Sequence, residues 1–303
     1  MTQLEPNPSG AAASATTAAL EVRGLVKTFG EVRAVDGLDL TVRRGESIGL
    51  LGPNGAGKTT TLRILATLAA PDSGDVRVLG LEPRVDGAAL RGRIGVVPQE
   101  IALYGGLTAA ENLSFFGELS GLAGARLAER VDWGLETAGL TERRDSRVAG
   151  FSGGMKRRLN LVAALLHEPE LVFLDEPTAG IDPQSRNHVF EQVEAIHAAG
   201  ATLVYTTHQM GEVERLCDRI AIMDRGRCVA DGSLDELRAL DAVQRGAGVG
   251  LRLPPGADLE RAARLLRENG IDAEVRGADV DLETIFLALT GRALRDDDTD
   301  GER

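Results

Sequence analysis

A glycine-rich segment carries the residue types that bind a phosphate group. GPNGAGKTT, from Gly52 to Thr60, matches the pattern GxxxxGK[ST] between an apolar run and a helical pattern. Glycines let the backbone curl so that successive N–H groups point at phosphate oxygens, and the following helix N-terminus adds positive partial charge. Lys58 is predicted to reach the β and γ phosphates of a nucleotide, and the Thr59 hydroxyl to bind Mg²⁺. The alternative is a structural glycine turn. The residues of this segment that are predicted to bind the nucleotide are Pro53, Asn54, Gly55, Ala56, Gly57, Lys58, Thr59 and Thr60.

Two adjacent carboxylates supply the other half of such a site. The apolar run LVFLDE ends at Asp175 and Glu176, and ligands of open α/β sheets bind beyond the carboxyl ends of the strands. Asp175 is predicted to hold Mg²⁺, directly or through water. Because neighbouring side chains of a strand point to opposite faces, Glu176 is predicted to orient or deprotonate an attacking water. Alone, the run would often be a strand entering a solvated turn; together with the phosphate loop it predicts a hydrolytic site.

The elements that position these residues alternate between strands and helices. Apolar runs predict strands at LEVRGLVKTF, VDGLDLTV, ESIGLLG, LVFLDEP and ATLVYTTH. Helical spacing predicts helices at Thr60 to Ala69, from Met155 to Leu166, and around Val189 to Ala199. This alternation predicts a mostly parallel, covered sheet. Residues 101–150 show helical patterns without strong strands and are predicted to form a helical subdomain.

Composition and pattern also predict the domain boundaries. Residues 1–19 are predicted to be a flexible leader, with structure beginning near Leu20, and residues 20–240 a nucleotide-binding domain. GVGLRLP and DAEVRG predict strands around a helix at DLERAARLLRENG, which indicates a small α+β domain at 241–295. LETIFLALTGR predicts a last amphipathic helix before an acidic tail at 296–303.

Charge and hydropathy disfavour several functional classes. The net charge of -12 argues against broad attachment to nucleic acid or anionic lipid. No stretch approaches the roughly 20 apolar residues that span a bilayer, and the N-terminus lacks a secretory signal pattern. Cys217 and Cys228 lack metal-site spacing and are predicted to be plain thiols of a reducing compartment. The sequence therefore predicts a cytoplasmic protein.

A third motif selects a family. FSGGMKRR, from Phe151 to Arg158, resembles the ABC signature, which usually begins LSGGQ, and it lies shortly before the acidic strand as in ABC ATPases. Ser152, Gly153 and Gly154 can open a backbone nest at a helix N-terminus that contacts phosphate. Standing alone, the motif would be an ordinary Ser-Gly helix cap. The order of the three motifs gives a resemblance to ABC ATPases that covers about residues 20–235.

This resemblance implies a fold, two cofactors and four further site residues. The fold is an α/β P-loop NTPase with a mostly parallel sheet core, an antiparallel β subdomain and a helical subdomain; the cofactors are ATP and Mg²⁺. Phe29 matches the aromatic residue that stacks on adenine, the alternative being a strand-end core residue. Gln99 matches the glutamine that contacts Mg²⁺ and the attacking water. Asp182 matches the D-loop aspartate of the subunit boundary, with a plain turn as alternative, and His208 the switch histidine at the γ phosphate.

The signature departs from the usual pattern at two positions, and the adenine platform at one. Phe151 replaces leucine, Met155 replaces glutamine, and Phe29 stands where tyrosine is commoner. None of these changes removes a phosphate contact or a catalytic carboxylate. Since Glu176 and His208 are both present, the resemblance implies a competent ATPase rather than a non-catalytic nucleotide sensor.

Two longer segments resemble one group within the family. GGMKRRLNLVAALLHEPELVFLDEPTAGIDPQSR and the ending LETIFLALTGR resemble ATPases of ABC-2 type exporters, which include the daunorubicin and doxorubicin resistance type. The resemblance implies a head-to-tail homodimer, peripheral at the cytoplasmic face of the cell membrane, that powers a separate integral membrane permease. The alternative is a soluble ABC ATPase acting on ribosomes or DNA. Those proteins carry two cassettes or a long coiled coil, whereas this sequence has one cassette and a short insert. The cargo stays open among drug, antibiotic, lipid and polysaccharide.

Overall fold

A six-stranded sheet forms the centre of the molecule. The computed structural model describes residues 18–240, 259–268 and 281–291. The strand order is β5-β6-β7-β3-β8-β9, parallel throughout except for β9, which runs antiparallel to β8. The strands are β3 (Ser47–Leu51), β5 (Ile94–Val97), β6 (Leu171–Asp175), β7 (Thr202–Thr207), β8 (Arg219–Asp224) and β9 (Arg227–Gly232).

The three central strands are buried along their whole length. Every residue of β3, β6 and β7 is buried, as expected for short apolar strands covered on both faces. This core confirms the predicted α/β class. Helices α1 (Lys58–Leu65) and α2 (Pro83–Arg91) are the first two of the chain. Helix α6 (Pro183–Ala198) follows β6, and α7 (Met210–Leu216) follows β7.

A second, antiparallel sheet confirms the predicted β subdomain. It has the order β2-β1-β4, with strands β1 (Ala18–Phe29), β2 (Val32–Arg43) and β4 (Ser73–Val78). Its buried face shares one apolar cluster with Leu50 of the central sheet and Ile64 of α1. The predicted leader boundary at residue 19 is too late, because Ala18 pairs with Arg43 and Ala19 is buried in the same cluster.

A helical layer occupies part of residues 101–150. It contains α3 (Ala109–Leu119) and α4 (Gly124–Thr137), followed by single 3-10 turns at Thr141–Arg143 and Val148–Gly150. Helix α3 starts with a capping box, in which the Thr108 hydroxyl accepts from the Glu111 N–H and the Glu111 carboxylate accepts from the Thr108 N–H. The layer packs on α5 (Gly153–Ala163), which carries the signature.

Two predicted helices have different limits in the structure. Helix α1 runs from Lys58 to Leu65 and not from Thr60 to Ala69, because Thr67 has a left-handed φ of 64° and the N–H groups of the next two residues both bond to the Arg63 carbonyl. Leu68 is consequently exposed. Helix α5 ends at Ala163, so that the predicted helical residue Leu166 lies in a turn, although it is buried.

The C-terminal part contributes helices to the main core. It contains α8 (Leu234–Arg238), α9 (Leu259–Glu268) and α10 (Leu282–Thr290). Leu282, Ile285 and Phe286 of α10 are fully buried in one cluster with Leu51 and Ile220 of the central sheet. The strands predicted at GVGLRLP and DAEVRG lie outside the described residues. Among the helices that the structure describes, none has the length and apolar character to cross a bilayer.

Candidate active site

The glycine-rich loop between β3 and α1 is tightly packed. Gly57 has a φ of 99°, and a Cβ atom there would lie 2.3 Å from the Ala34 carbonyl oxygen of the β1–β2 hairpin. A Cβ at Gly52 would lie 2.4 Å from the Met223 carbonyl oxygen. Gly55 also has a positive φ, of 79°, but its surroundings are open. The glycines therefore serve both the left-handed turns and the close approach of neighbouring backbone.

Lys58 lies at the first position of α1 and folds back over the loop. Its Nζ atom donates to the carbonyls of Gly52 and Pro53, at 2.7 and 3.0 Å, and lies 3.6 Å from Oε1 of Glu176. Only 4% of the lysine is exposed. The first turn of α1 contains no acidic residue of its own, and the helix N-terminus carries positive partial charge. The loop and the lysine together have the geometry and charge of an anion-binding cradle.

The predicted metal ligands lie next to each other. Thr59 Oγ1 donates to Asp175 Oδ1 at 3.0 Å, and Thr206 Oγ1 donates to the same oxygen at 2.6 Å. Asp175 is 4% exposed, so its carboxylate is held by these hydroxyl groups and not by bulk water. Hydroxyl and carboxylate oxygens are the ligands that Mg²⁺ prefers. The donor set therefore fits Mg²⁺ beside the phosphate cradle.

Glu176 follows β6 in a left-handed turn. Its φ is 43°, a conformation that costs a residue other than glycine about 1–2 kcal/mol. The Glu176 N–H bonds to both the carbonyl and the hydroxyl oxygen of Thr206, each at 3.1 Å. The direction of the Glu176 carboxylate is therefore set by this turn and not, as predicted, by the alternation of side chains along a strand. Hydrogen bonds to Thr206 of β7 hold the turn in place.

The other predicted catalytic side chains surround this carboxylate. Gln99 Nε2 lies 3.3 Å from Glu176 Oε2, and His208 Nδ1 lies 3.3 Å from Glu176 Oε1. Gln99 follows β5 and His208 follows β7, the strands on either side of β6. Since the carboxyl ends of parallel strands meet at one edge of the sheet, three distant sequence segments reach one point. Such a cluster can hold and deprotonate a water molecule.

A buried glutamate that sequence reasoning missed supports the cluster. Glu212 of α7 is 3% exposed and accepts hydrogen bonds from Thr178 Oγ1 at 2.5 Å, Tyr205 OH at 3.0 Å and Thr207 Oγ1 at 2.7 Å. Burial raises the pKa of the Tyr205 hydroxyl well above its usual value, which keeps it a donor. Glu212 thus ties the segment after Glu176 to the end of β7. The only sequence signal is an acidic residue on the apolar face of a short helix, four positions before Leu216.

The signature and D-loop residues cap two adjacent helices. Ser152 Oγ accepts from the Met155 N–H at 3.2 Å and caps α5, while Asp182 accepts from the N–H and hydroxyl of Ser185 and caps α6. A Cβ at Gly154 would lie 1.9 Å from Ser185 Oγ, whereas Gly153 has open space around it. Hydrogen bonding to the Ser185 hydroxyl lowers the pKa of Asp182. Two helix N-termini are thus presented side by side.

Phe29 ends β1 as an exposed ring. It is 55% exposed, which excludes the alternative of a core residue, and Lys27 Nζ lies 5.3 Å from the ring centroid. The Ala34 carbonyl of the same hairpin packs against Gly57 of the glycine-rich loop. A flat apolar face is therefore available on the hairpin that packs against the loop.

Comparison with known proteins shows the family of this chain. The ABC transporter family model matches residues 35–179. The chain is 49% identical to the linearmycin resistance ATP-binding protein of Bacillus subtilis, over 72% of this chain and 70% of that protein. It is 47% identical to the daunorubicin/doxorubicin resistance ATP-binding protein of Streptomyces peucetius, over 74% and 68%. The Nod factor export ATP-binding protein I of Cupriavidus metallidurans is 39% identical over 92% of this chain and its own whole length.

Solved structures show the same fold. An ATP-binding subunit of an ABC transporter aligns with 82% of this chain and 99% of its own, with a TM-score of 0.67 and 32% identity. A dimeric ATP-binding cassette bound to ADP and phosphate aligns with 71% of this chain and 98% of its own, with a TM-score of 0.65 and 24% identity. The matches confirm the predicted fold class, and this chain belongs to the ABC transporter ATP-binding family.

Proposed function

We propose that this chain is the ATP-hydrolysing subunit of an ABC-2 type exporter and couples ATP-driven dimerisation to efflux through a separate membrane permease. The observation that carries the proposal is the cluster of Gln99, His208 and Lys58 around Glu176, next to the Thr59–Asp175 pair. A nucleotide sensor needs the phosphate cradle but no group that activates water. The complete cluster therefore favours hydrolysis.

Each predicted site residue has a role in this proposal. The loop N–H groups and Lys58 bind the phosphates of ATP, and Phe29 stacks on the adenine. Thr59, Asp175 and Gln99 would hold Mg²⁺, which would supply positive charge beside the phosphates. Glu176 orients or deprotonates the attacking water, and His208 contacts the γ phosphate.

Dimerisation follows from where the signature lies. The chain has one phosphate loop and one signature. Ser152 and Gly153 of the signature form the exposed N-terminus of α5. A helix N-terminus binds phosphate oxygens from outside. We therefore place Ser152, Gly153 and Gly154 against the ATP held by a second copy of the chain, with Asp182 at the boundary of this head-to-tail homodimer.

An apolar groove beside the Gln99 loop is the proposed docking site for the permease. The groove has a volume of about 600 Å³ and is lined by Ile94, Pro98, Phe116 and the exposed Leu68 and Leu119. Pro98 precedes Gln99, so the groove borders the loop that carries a residue of the proposed catalytic cluster. A cytoplasmic segment of a permease would fill the groove and hold this chain peripherally at the membrane.

The export direction and the cargo have different support. The names of the relatives refer to drug resistance or to Nod factor export, which supports an export role for this chain. The cargo contacts the permease and not this chain, so it stays open. Copurification from detergent-solubilised membranes tests the partner: recovery of an integral membrane protein supports the proposal, and recovery of ribosomes or DNA in its place supports the alternative.

Replacement of the central carboxylate tests the hydrolytic role. Glu176→Gln should lower steady-state phosphate release by a factor on the order of 10²–10⁴, because an amide cannot accept the proton of the attacking water. Binding of a fluorescent ATP analogue should be retained. Glu214→Gln, which alters an exposed glutamate of α7, is the control and should leave the rate unchanged. Turnover near the wild-type rate in Glu176→Gln would exclude the assigned role.

A further inference from the structure

Arg157 is a buried arginine that joins three parts of the site. It is 4% exposed, lies in α5 and donates from one guanidinium nitrogen to the carbonyls of Pro98 and Gln99, at 3.2 and 2.8 Å. The other terminal nitrogen donates to the Ala179 carbonyl at 3.3 Å. The signature helix is thereby bonded to the Gln99 loop and to the segment between Glu176 and Asp182.

Asn160 adds a further contact from the same face of α5. Its Oδ1 atom accepts from the Ala102 N–H at 3.0 Å, three residues after the Gln99 carbonyl that Arg157 binds. Residues three apart on a helix share one face, so Arg157 and Asn160 hold the loop 98–102 at two points. A movement of α5 must therefore displace the loop that carries Gln99.

The position of Arg157 has an energetic requirement. Burial lowers the pKa of its guanidinium, yet an arginine remains charged, and its hydrogen bonds go to backbone carbonyls. A buried cation is tolerated only where such acceptors are well placed. Any shift of α5 that separated the guanidinium from the loop would break the hydrogen bonds of one terminal nitrogen and leave the Pro98 and Gln99 carbonyls without this donor. The loop is therefore expected to follow the helix.

The N-terminus of the same helix faces the second copy in the proposed dimer. Ser152 caps α5 five residues before Arg157, a distance of about 7.5 Å along a helix axis. Gly154 packs against Ser185 so closely that α5 and the Asp182 cap of α6 must move together. A phosphate bound at Ser152 can thus displace Arg157 as part of one rigid unit.

We propose that Arg157 is a positioning residue that couples the two ATP sites of the dimer. When the signature of one copy binds the γ phosphate held by the other, α5 takes up a defined position. Arg157 then fixes the position of the Gln99 loop, and Gln99 is aligned with Glu176 in the same copy. Hydrolysis at each site then depends on ATP at the other. The inference rests on the head-to-tail dimer proposed above.

The experiment compares Arg157 with a matched buried arginine. Arg130 of α4 is 8% exposed and also donates to backbone carbonyls, those of Leu165 and Leu166. Its other contacts are an ion pair with Glu168 and the ring of Trp133, so these interactions do not involve the Gln99 loop. Arg157→Met, Arg157→Lys and Arg130→Met are purified as full chains. Steady-state phosphate release gives kcat, KM and the Hill coefficient for ATP, a fluorescent ATP analogue gives Kd, and urea denaturation reports folding.

The expected results separate positioning from folding. Arg157→Met should lower kcat by a factor on the order of 10² and bring the Hill coefficient from above 1 to about 1, with Kd changed less than about twofold. Arg157→Lys, which keeps a donor cation, should recover part of both quantities. Arg130→Met should lose comparable stability and keep the wild-type Hill coefficient.

Distinct outcomes overturn the inference and the function on which it rests. Wild-type protein without turnover, or with a Hill coefficient of about 1, overturns the proposed dimeric ATPase and the Arg157 inference with it. Cooperative wild-type turnover with an unchanged Hill coefficient in Arg157→Met, or an equal loss in Arg130→Met, overturns only the role of Arg157. If Arg157→Met does not fold, the same criterion applies to Arg157→Lys, whose Hill coefficient must fall below the wild-type value.

Discussion

Gly154 shows how one missing side chain can determine the shape of a site. An alanine Cβ there would lie 1.9 Å from Ser185 Oγ and 2.5 Å from Ser185 Cβ, so α5 and α6 would have to separate. Overpacking of this kind typically costs about 1–3 kcal/mol. Gly154→Ala should therefore lower the free energy of unfolding in urea by that amount.

The neighbouring glycine provides the control for this prediction. Gly153 lies in the first turn of the same helix, and a methyl group there would meet no heavy atom of the surrounding structure within 4 Å. Gly153→Ala should change the free energy of unfolding by no more than about 0.5 kcal/mol, because the added group has open space. Equal destabilisation by the two substitutions would show that helix packing at Ser185 is not the cause.

The sequence points to some residues of the cluster and gives little or no signal for others. Lys58, Thr59 and Asp175 can be predicted because phosphate and Mg²⁺ chemistry restricts both residue type and spacing. Thr206 and Glu212 act through burial and hydrogen bonding, which have no spacing pattern in the chain. Arg157 belongs to the same group, since its partners are backbone carbonyls and any sequence provides those.

Strand β6 is anchored by an ion-paired residue at its start. Glu170, just before the strand, accepts from Arg93 at 2.6 Å and from Arg44 at 2.7 Å. The hydrogen bond from Arg93, aided by Arg44, lowers the pKa of the carboxyl from 4.5 to about 2. A depressed carboxyl pKa contributes stability above about pH 4.5, and the contribution disappears as pH falls towards 2.

This linkage gives a measurable difference between two proteins. The free energy of unfolding of the wild type should fall between pH 4.5 and 2 more steeply than that of Glu170→Gln, which cannot titrate there. The difference should be less than about 1 kcal/mol, because the side chain is 40% exposed and water screens the pair. Urea titrations at several pH values measure it, and parallel curves for the two proteins would contradict the anchoring role.

Element limits are harder to predict than the elements themselves. The pattern around α1 is helical to Ala69, but the chain leaves the helix at Leu65 because of the left-handed Thr67, a conformation that no apolar spacing signals. The amphipathic pattern does predict helix α10. Its packing against Leu51 and Ile220 cannot be predicted in the same way, because periodicity shows which face is apolar and not what covers it.

At the scale of the whole molecule, dimer formation can be separated from folding. Ser152→Asp keeps a good helix cap for α5 and interacts favourably with the helix dipole, but it adds a negative charge where the proposed dimer brings a phosphate bound to the second copy. In a Glu176→Gln background, which is expected to bind ATP without hydrolysing it, the chain should form a dimer with ATP and Mg²⁺. The same background with Ser152→Asp should remain monomeric.

Light scattering coupled to size exclusion gives the mass in each case. Unfolding in urea without nucleotide should show that Ser152→Asp is as stable as its parent. A dimer of undiminished affinity in the double variant would place the signature away from the phosphate of the second copy.

The order of the central strands is the part of the architecture that the sequence leaves undetermined. Apolar runs indicate that β3, β6 and β7 are buried, and the alternation with helices indicates parallel pairing. Neither observation shows that β3 lies between β7 and β8. That order nevertheless decides the site, because it puts the ends of β5, β6 and β7 side by side.

The left-handed backbone at Glu176 sterically favours glycine, a residue that has no carboxylate. Glycine adopts a φ of 43° without steric cost, whereas glutamate bears about 1–2 kcal/mol of strain there. On backbone strain alone, glycine is therefore the favoured residue at this position. The strain is a cost in stability that the proposed hydrolytic role of Glu176 has to outweigh.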